Sequence, residues 1–375
     1  MTPADTTPAV PDAPDTHDTA GTAPAAVPDA PAATPATGDD RLRASTGLAR
    51  LTRRPELASL VGAVLIFALF MVVAPSFRSA DAMATVLYAS STMGIMAVAV
   101  GLLMIGDEFD LSSGVAVTTA ALAATMLNYN LHLNTWVGSL GALVVSLAIG
   151  ALNGWLVTRT GIPSFLITLS AFLMLQGLNL AVTKLVTGQV ATPVISDMEG
   201  FPTAHAVFAG SFDVAGVQVR ATVLWWIGAV VLATWVLHRT RLGNWIFAVG
   251  GNPDAARAVG VPVTRVKIIL FMTVGFAAWF VGQHTLYMFD SIQAGQGVGN
   301  EFLYIIAAVI GGCALTGGRG TAVGTAVGAL IFGMTNQGIV YAGWNPDWFK
   351  FFLGAMLLFA VLTNTSFSRL TEGRR

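Results

Sequence analysis

Charge is scarce in this chain of 375 residues: Asp, Glu, Lys and Arg together make up 10%, against 54% hydrophobic residues. Several apolar runs approach or exceed the roughly 20 residues that span a bilayer, so the class that remains is a polytopic membrane protein. The net charge of −1 is spread among loops, which excludes a basic face for nucleic acid. One cysteine, Cys313, lies in an apolar run; it excludes a disulfide framework or a thiolate metal site and reads as a small buried hydrophobe. His205, His238 and His284 are scattered without zinc-like spacing, so no metal is expected. No glycine loop is followed by Lys and Ser or Thr, and Gly312–Thr321 offers only Arg319, which excludes a phosphate cradle; no cofactor is expected in this chain. The spans hold no clustered nucleophile and base, so no catalytic residue is expected either. The first 40 residues contain no Lys or Arg and no apolar core, which excludes a secretory signal; their Pro, Ala, Thr and Asp suit a disordered tail, taken as cytoplasmic over 1–50.

What is present is a long series of apolar segments. Spans are predicted at about 57–75, 83–105, 111–129, 136–157, 163–183, 221–237, 267–289, 301–316, 321–341 and 349–366. The fold expected is therefore an all-α polytopic membrane protein of about ten transmembrane helices, with some broken or re-entrant. The glycine-rich Gly311–Gly320 could be a break within a re-entrant segment. Both termini fall inside, and 369–375 forms a cytoplasmic tail. Charge agrees: of the 19 basic residues only Arg78, Lys184, Arg220 and Lys350 fall outside, and Arg41, Arg43, Arg50, Arg53 and Arg54 precede the first span.

A slide of 183 residues superposes Gly141 on Gly324, Gly150 on Gly333, Asn153 on Asn336 and Pro163 on Pro346. These spans run in opposite directions, so two inverted-topology halves are expected, about 83–183 and 266–366, within a permease domain at 51–368. A second echo, Gly106-Asp107-Glu108-Phe109 against Gly299-Asn300-Glu301-Phe302, needs a shift of 193. Inverted repeats place a solute pathway near the midplane.

Two polar islands interrupt the apolar runs. The first is Gly106–Gly114, where Asp107, Glu108, Asp110 and Ser112 border two spans. Charges at membrane depth must face water, protein or a helix end, so these groups either cap a broken helix or contact solute. Asn153, Glu301 and Asn336 are further pathway candidates, though intramembrane amides also bond neighbouring helices. The second island is the cytoplasmic loop 238–267. Within it Asn252 reads as an N-cap, Pro253 as the first helical residue, Asp254 as a charge on the positive dipole end and Gly260 as a stop. A short helix on the inner face is a docking knob, with Asp254 and Arg257 as polar contacts. Lys184–Arg220 is the longest outer segment, either a surface for a binding protein or a plain ordered loop.

These segments carry a resemblance. Asp110-Leu111-Ser112-Ser113-Gly114 resembles the Gly-Gly-Ile-Asp-Leu-Ser-Val-Gly signature of the membrane subunits of bacterial ABC importers for ribose, xylose and related sugars. Ala248–Arg257 and Gly260 are similar to the cytoplasmic segment of that family, Ile306–Gly312 with Gly317–Gly320 to its C-terminal signature, and Gly161–Leu169 to a further segment. The chain departs where Asp107-Glu108-Phe109 replaces Gly-Gly-Ile and where Leu303 stands in place of an acid. The resemblance implies a permease in the bacterial plasma membrane. It would pair with a second copy or paralogue, take sugar from an extracytoplasmic solute-binding protein, and be driven by separate cytoplasmic ATPase subunits seated on the 252–260 helix. Permeases for nucleosides or branched-chain amino acids, and an ion-coupled secondary transporter, are the alternatives.

Overall fold

The computed structural model describes residues 55–372. The tail 1–50, the arginines at 41–54 and the last three residues lie outside the described residues. The chain runs through α1 (Pro55–Val73), a 3-10 turn (Pro75–Arg78), α2 (Ala80–Ile105), α3 (Ser113–Leu131), α4 (Thr135–Thr160) and α5 (Ser164–Thr187). It continues through α6 (Phe201–Phe208), β1 (Ser211–Val214), β2 (Val217–Arg220), α7 (Ala221–Arg239), α8 (Arg241–Gly251) and α9 (Pro253–Ala258). The last elements are α10 (Val263–Phe289), α11 (Asn300–Ile310), α12 (Ala322–Tyr341) and α13 (Trp348–Glu372).

Six of these helices, α2, α4, α5, α7, α10 and α12, are long and apolar enough to cross a membrane, and α1, α11 and α13 carry shorter apolar stretches. The mostly helical membrane architecture expected from composition is what the structure has. Burial sorts the spans: the apolar window of α2 is 78% buried and that of α5 22%, so α2 is central and α5 peripheral. On α4 and α5, Val144 and Met174 are 67% and 66% exposed, as lipid-facing side chains are.

α3 is as long as a span yet does not qualify as an apolar one, because it carries Thr118, Thr119, Thr125, Asn128 and Asn130. It packs against α4, α5, α10 and α11, which bury it along most of its length, so it needs no apolar outer face.

Small residues make the tightest of these contacts. Gly138, Ala142, Ser146, Gly150 and Gly154 recur every fourth position along α4 and are buried. A Cβ at Gly150 would fall 2.5 Å from the Phe271 carbonyl oxygen, and one at Gly154 2.8 Å from Ile268 Cα, so α10 lies directly on the α4 backbone.

One expectation is corrected. The span expected at 301–316 is shorter: α11 ends at Ile310, where Gly312 takes φ 94 and Cys313 N–H donates back to the Ala308 carbonyl, stopping the helix with a left-handed turn. The helical bundle also carries one small addition: the long segment after α5 holds α6 and a β1–β2 hairpin paired from Ser211↔Arg220 to Val214↔Val217. Its two-residue turn, Ala215-Gly216, has φ 55 and 85, the mirror-image geometry that suits strand twist. Asp213 Oδ1 accepts from Gly216 N–H at 3.0 Å and stabilises it.

Candidate functional site

The site begins where α2 stops. Gly106 N–H donates to Leu102 O, Asp107 N–H to Met104 O and Glu108 N–H to Leu103 O, while Asp107 takes φ 63. This is a left-handed helix stop in which aspartate fills the position that glycine usually takes. Asp107 is left exposed at the edge, and Glu108 turns inward to form a salt bridge with Lys267 in the first turns of α10. With side-chain exposures of 5% for Glu108 and 16% for Lys267, each charge needs the other. Partial desolvation and the Glu108 carboxylate hold Asp107 above the ordinary aspartate range, while Lys267 pulls it back down.

From Glu108 to Ser112 the backbone is non-helical and nearly buried, so its polar groups must be met by other elements. Ser164 Oγ accepts from Phe109 N–H at 3.0 Å and Thr168 Oγ1 from Leu111 N–H at 3.1 Å; these are i, i+4 neighbours in the first turns of α5. Asp110 Oδ1 accepts from Ser112 N–H at 2.8 Å and Ser112 Oγ–H at 2.6 Å, and Asn153 Nδ2 donates to Ser112 Oγ at 3.0 Å. Asp110, Ser112 and Asn153 thus form one buried chain of bonds into α4, and α3 begins at Ser113.

Two glycine segments close on the end of α2. Gly318 N–H donates to Ile105 O at 2.9 Å. A Cβ at Gly250, in the last turn of α8, would lie 1.8 Å from that same oxygen and 2.7 Å from Gly318 N. One at Gly317 would lie 2.6 Å from Asp107 Cβ. The end of α2, the end of α8 and the α11–α12 loop therefore meet backbone to backbone.

α8 is held by its buried stripe of Gly243, Ile246, Val249 and Gly250 and leads straight into α9. Asn252 Oδ1 caps α9, accepting from Asp254 N–H at 3.0 Å and Ala255 N–H at 2.9 Å, with Pro253 at the first helical position. Asp254 and Arg257 pair at 2.8 Å with side-chain exposures of 88% and 62%, Val259 is 80% exposed, and Gly260 leaves the knob at φ 87. The helix expected from sequence is there, and it projects from the bundle.

Glu301 belongs to a second break, between α10 and α11. Both of its carboxylate oxygens accept from Gly299 N–H at 3.1 Å, so it caps α11. It also abuts the start of α3, since a Cβ at Gly114 would fall 2.3 Å from Glu301 Oε2 and 2.6 Å from the Gly297 carbonyl oxygen. The beginnings of α3 and α11 thus face each other. Asn336 stands apart from this group, on α12, with its Oδ1 bonded to the neighbouring Gln337 at 3.1 Å.

Sequence reading had counted Lys267 only as a topological charge and gave Ser164 and Thr168 no role. The signal for the last pair was a Ser and a Thr at i, i+4 spacing in an otherwise apolar helix start. The signal for Lys267 was a lone lysine just inside a span. Among the described residues no group of His, Cys, Asp and Glu could hold a metal ion.

A bundle with six helices long and apolar enough to cross a membrane, two interruptions and a projecting helix pair defines a polytopic membrane protein. A family model described as "Branched-chain amino acid transport system / permease component" matches residues 82–361, and the chain belongs to that family. It is 33% identical over 311 residues to the ribose import permease protein RbsC of Escherichia coli K12, covering 82% of this chain and 93% of that one. It is 31% identical over 314 residues to the galactose/methyl galactoside import permease protein MglC of Haemophilus influenzae, covering 80% and 91%. It is 32% identical over 310 residues to the probable ABC transporter permease protein YphD of E. coli K12, covering 82% and 89%. No solved structure matches.

Proposed function

We propose that this chain is the membrane-spanning permease of an ATP-binding-cassette importer that takes up a neutral sugar. The relatives named for ribose and for galactose support the solute class. The observation that carries the mechanism is the junction at Ile105, where the projecting α8–α9 pair touches the backbone of the first broken helix without an intervening side chain. Side chains can rotate out of a contact, whereas backbones in contact must move together. A push on α9 by a cytoplasmic ATPase subunit is then felt directly at Ile105 and Gly318, and through Ile105 at the first break.

In this reading both termini are cytoplasmic, the chain crosses the bilayer about ten times counting the broken segments, and a second permease copy or paralogue completes the pathway. The segment after α5 faces outward, where an extracytoplasmic binding protein delivers solute. Its residues 190–195 are hydrogen-bonded to 290–294 at the second break, through Ala294 N–H to Val190 O at 2.9 Å, Thr192 N–H to Ile292 O at 3.0 Å and Ile195 N–H to Asp290 O at 3.0 Å. Docking outside thereby acts on the second break, as the ATPase acts on the first.

Inverted halves are supported by helix bounds. Adding 183 to the numbers of α2 gives 263–288 against the 263–289 of α10, and adding it to those of α5 gives 347–370 against the 348–372 of α13. Asp107 and Asp290, also 183 apart, both end their helices at positive φ, 63 and 58. The echo at a shift of 193 is not carried in this way, since Glu108 pairs with α10 whereas Glu301 caps α11.

Asp110, Ser112, Asn153, Glu108 and Glu301 act here as the framework that holds the breaks open to the pathway. Arg257→Glu places a second acid beside Asp254, and the expected outcome is loss of uptake with normal amounts of permease in the membrane. Normal uptake would remove α9 from the coupling path. Uptake by reconstituted vesicles that follows an ion gradient, and not ATP hydrolysis, would replace the importer by a secondary transporter.

A further inference from the structure

Away from the junction, α2, α3, α10 and the second break line a half-open cavity of about 150 Å³. Its polar wall consists of Thr92 on α2, Thr118 on α3, Thr285 on α10, Gln296 and Asn300 beside the start of α11, and Tyr304 on α11. No Asp, Glu, Lys, Arg or His lines it. One end is shut by backbone, because a Cβ at Gly297 would fall 2.1 Å from the Gly114 carbonyl oxygen and 2.6 Å from Thr118 Oγ1. The wall also includes Ile292, in the stretch that is hydrogen-bonded to the segment after α5.

We propose that this cavity is a solute subsite for a single-ring, neutral, polyhydroxylated molecule, contacted through Thr92, Thr118, Thr285, Gln296 and Asn300. The proposal rests on the import reading above and adds where in this chain the solute is held and what selects it. Size is the first argument: a cavity of the order of 150 Å³ takes a molecule as large as one six-membered ring.

Hydrogen-bonding capacity is the second. The Thr92 and Thr285 hydroxyl hydrogens are directed to the Tyr88 and Val281 carbonyls of their own helices, at 3.4 and 2.8 Å, so their oxygens are left to accept. Gln296 Oε1 accepts from Gln293 N–H at 3.5 Å, which leaves the Gln296 amide hydrogens to donate, and the Asn300 amide is hydrogen-bonded to Tyr304 within the wall, with further donor and acceptor capacity left. A sugar hydroxyl, which both donates and accepts, fits between the two kinds of partner at several points around a ring. Charge is the third argument. An amino acid would bring a carboxylate and an ammonium group into a wall with no ion to meet them, and unpaired charges are costly to take out of water. The family description names branched-chain amino acids, and this wall selects against them.

The test uses the whole transporter, the permease with the ATPase and binding protein encoded beside it, in cells given labelled pentoses, hexoses and polyols, D-ribose and D-galactose among them, with L-leucine as the contrast. For the sugar that is taken up, Thr285→Val and Asn300→Leu are expected to raise KM about fivefold each, the factor for one neutral hydrogen bond lost, with Thr285→Ser close to the wild type. Because the chain's single cysteine, Cys313, is buried, a Thr285→Cys variant presents one reachable thiol. The transported sugar should slow its labelling by a small methanethiosulfonate, and leucine should not. This second readout stands even where a valine variant is poorly folded.

Sugar uptake with unchanged KM in the variants and no protection of the cysteine overturns the subsite and leaves the import reading intact. Uptake of leucine and of no sugar overturns the sugar assignment of the proposed function itself. Leucine protecting the cysteine overturns the selection argued from the uncharged wall.

Discussion

The two broken helices meet the same problem, exposed backbone inside an apolar bundle, in opposite ways. Between α2 and α3 the stretch Glu108–Ser112 is bound by side chains from three other helices: Lys267 of α10, Ser164 and Thr168 of α5, and Asn153 of α4. Between α10 and α11 the stretch Ser291–Gly299 is bound mostly through backbone, to residues 190–192, and its Gln293, Gly295, Gln296 and Val298 are exposed. The first break is thus held by buried side chains of three helices, and the second by backbone bonds to the segment after α5 and by the close approach of Gly297 to Gly114. The cavity lies against the second.

The largest effect expected is at the junction that loads the first break. Gly250→Val drives a side chain into the Ile105 carbonyl oxygen, 1.8 Å from where its Cβ would sit, so uptake should fall to background. Uptake near the normal level would mean that α8 and α2 separate freely, and the contrast between the breaks would lose its mechanical basis. Next is the buried ion pair. Lys267→Met alone should cost about 3–5 kcal/mol, read as thermal unfolding in detergent, and adding Glu108→Gln should recover most of it, because the cost comes from stranding one charge. A double variant no better than the single would show that Glu108 has another partner.

Asn252→Ala is expected to cost about 1 kcal/mol, confined to α9, and to speed amide exchange there while leaving the unfolding of the bundle unchanged. The smallest effect is Asp107. Its raised pKa means that the folded state holds a proton more tightly than the unfolded chain, so its contribution is present at low pH and is lost as pH rises through the raised value. Asp107→Asn should flatten that slope slightly; a slope unchanged in the variant would assign it to another carboxylate.

Much of this could be read from the residues, and the exceptions have physical causes. Asn252, Pro253 and Gly260 announced α9 because capping is local chemistry, written within a few positions. The acids of 107–110 were visible as polar groups bordering apolar spans, but their partners were not, since Glu108 and Lys267 are 159 residues apart and no local rule links them. The hairpin was missed because its turn is Ala215-Gly216, and alanine at φ 55 is not the Asn or Asp that signals such a turn. α11 was drawn too long because apolarity continues past Ile310 to Leu315 while the helix does not: hydropathy reports the surroundings of a segment, and the left-handed Gly312 ends it.

The polar character of α3 has a consequence for how the molecule is made. Its threonines and asparagines make it less apolar than the six membrane-length helices, and among the helices that shield it is α10, which leaves the ribosome more than a hundred residues later. α3 therefore gains part of its cover only when the second half of the chain arrives.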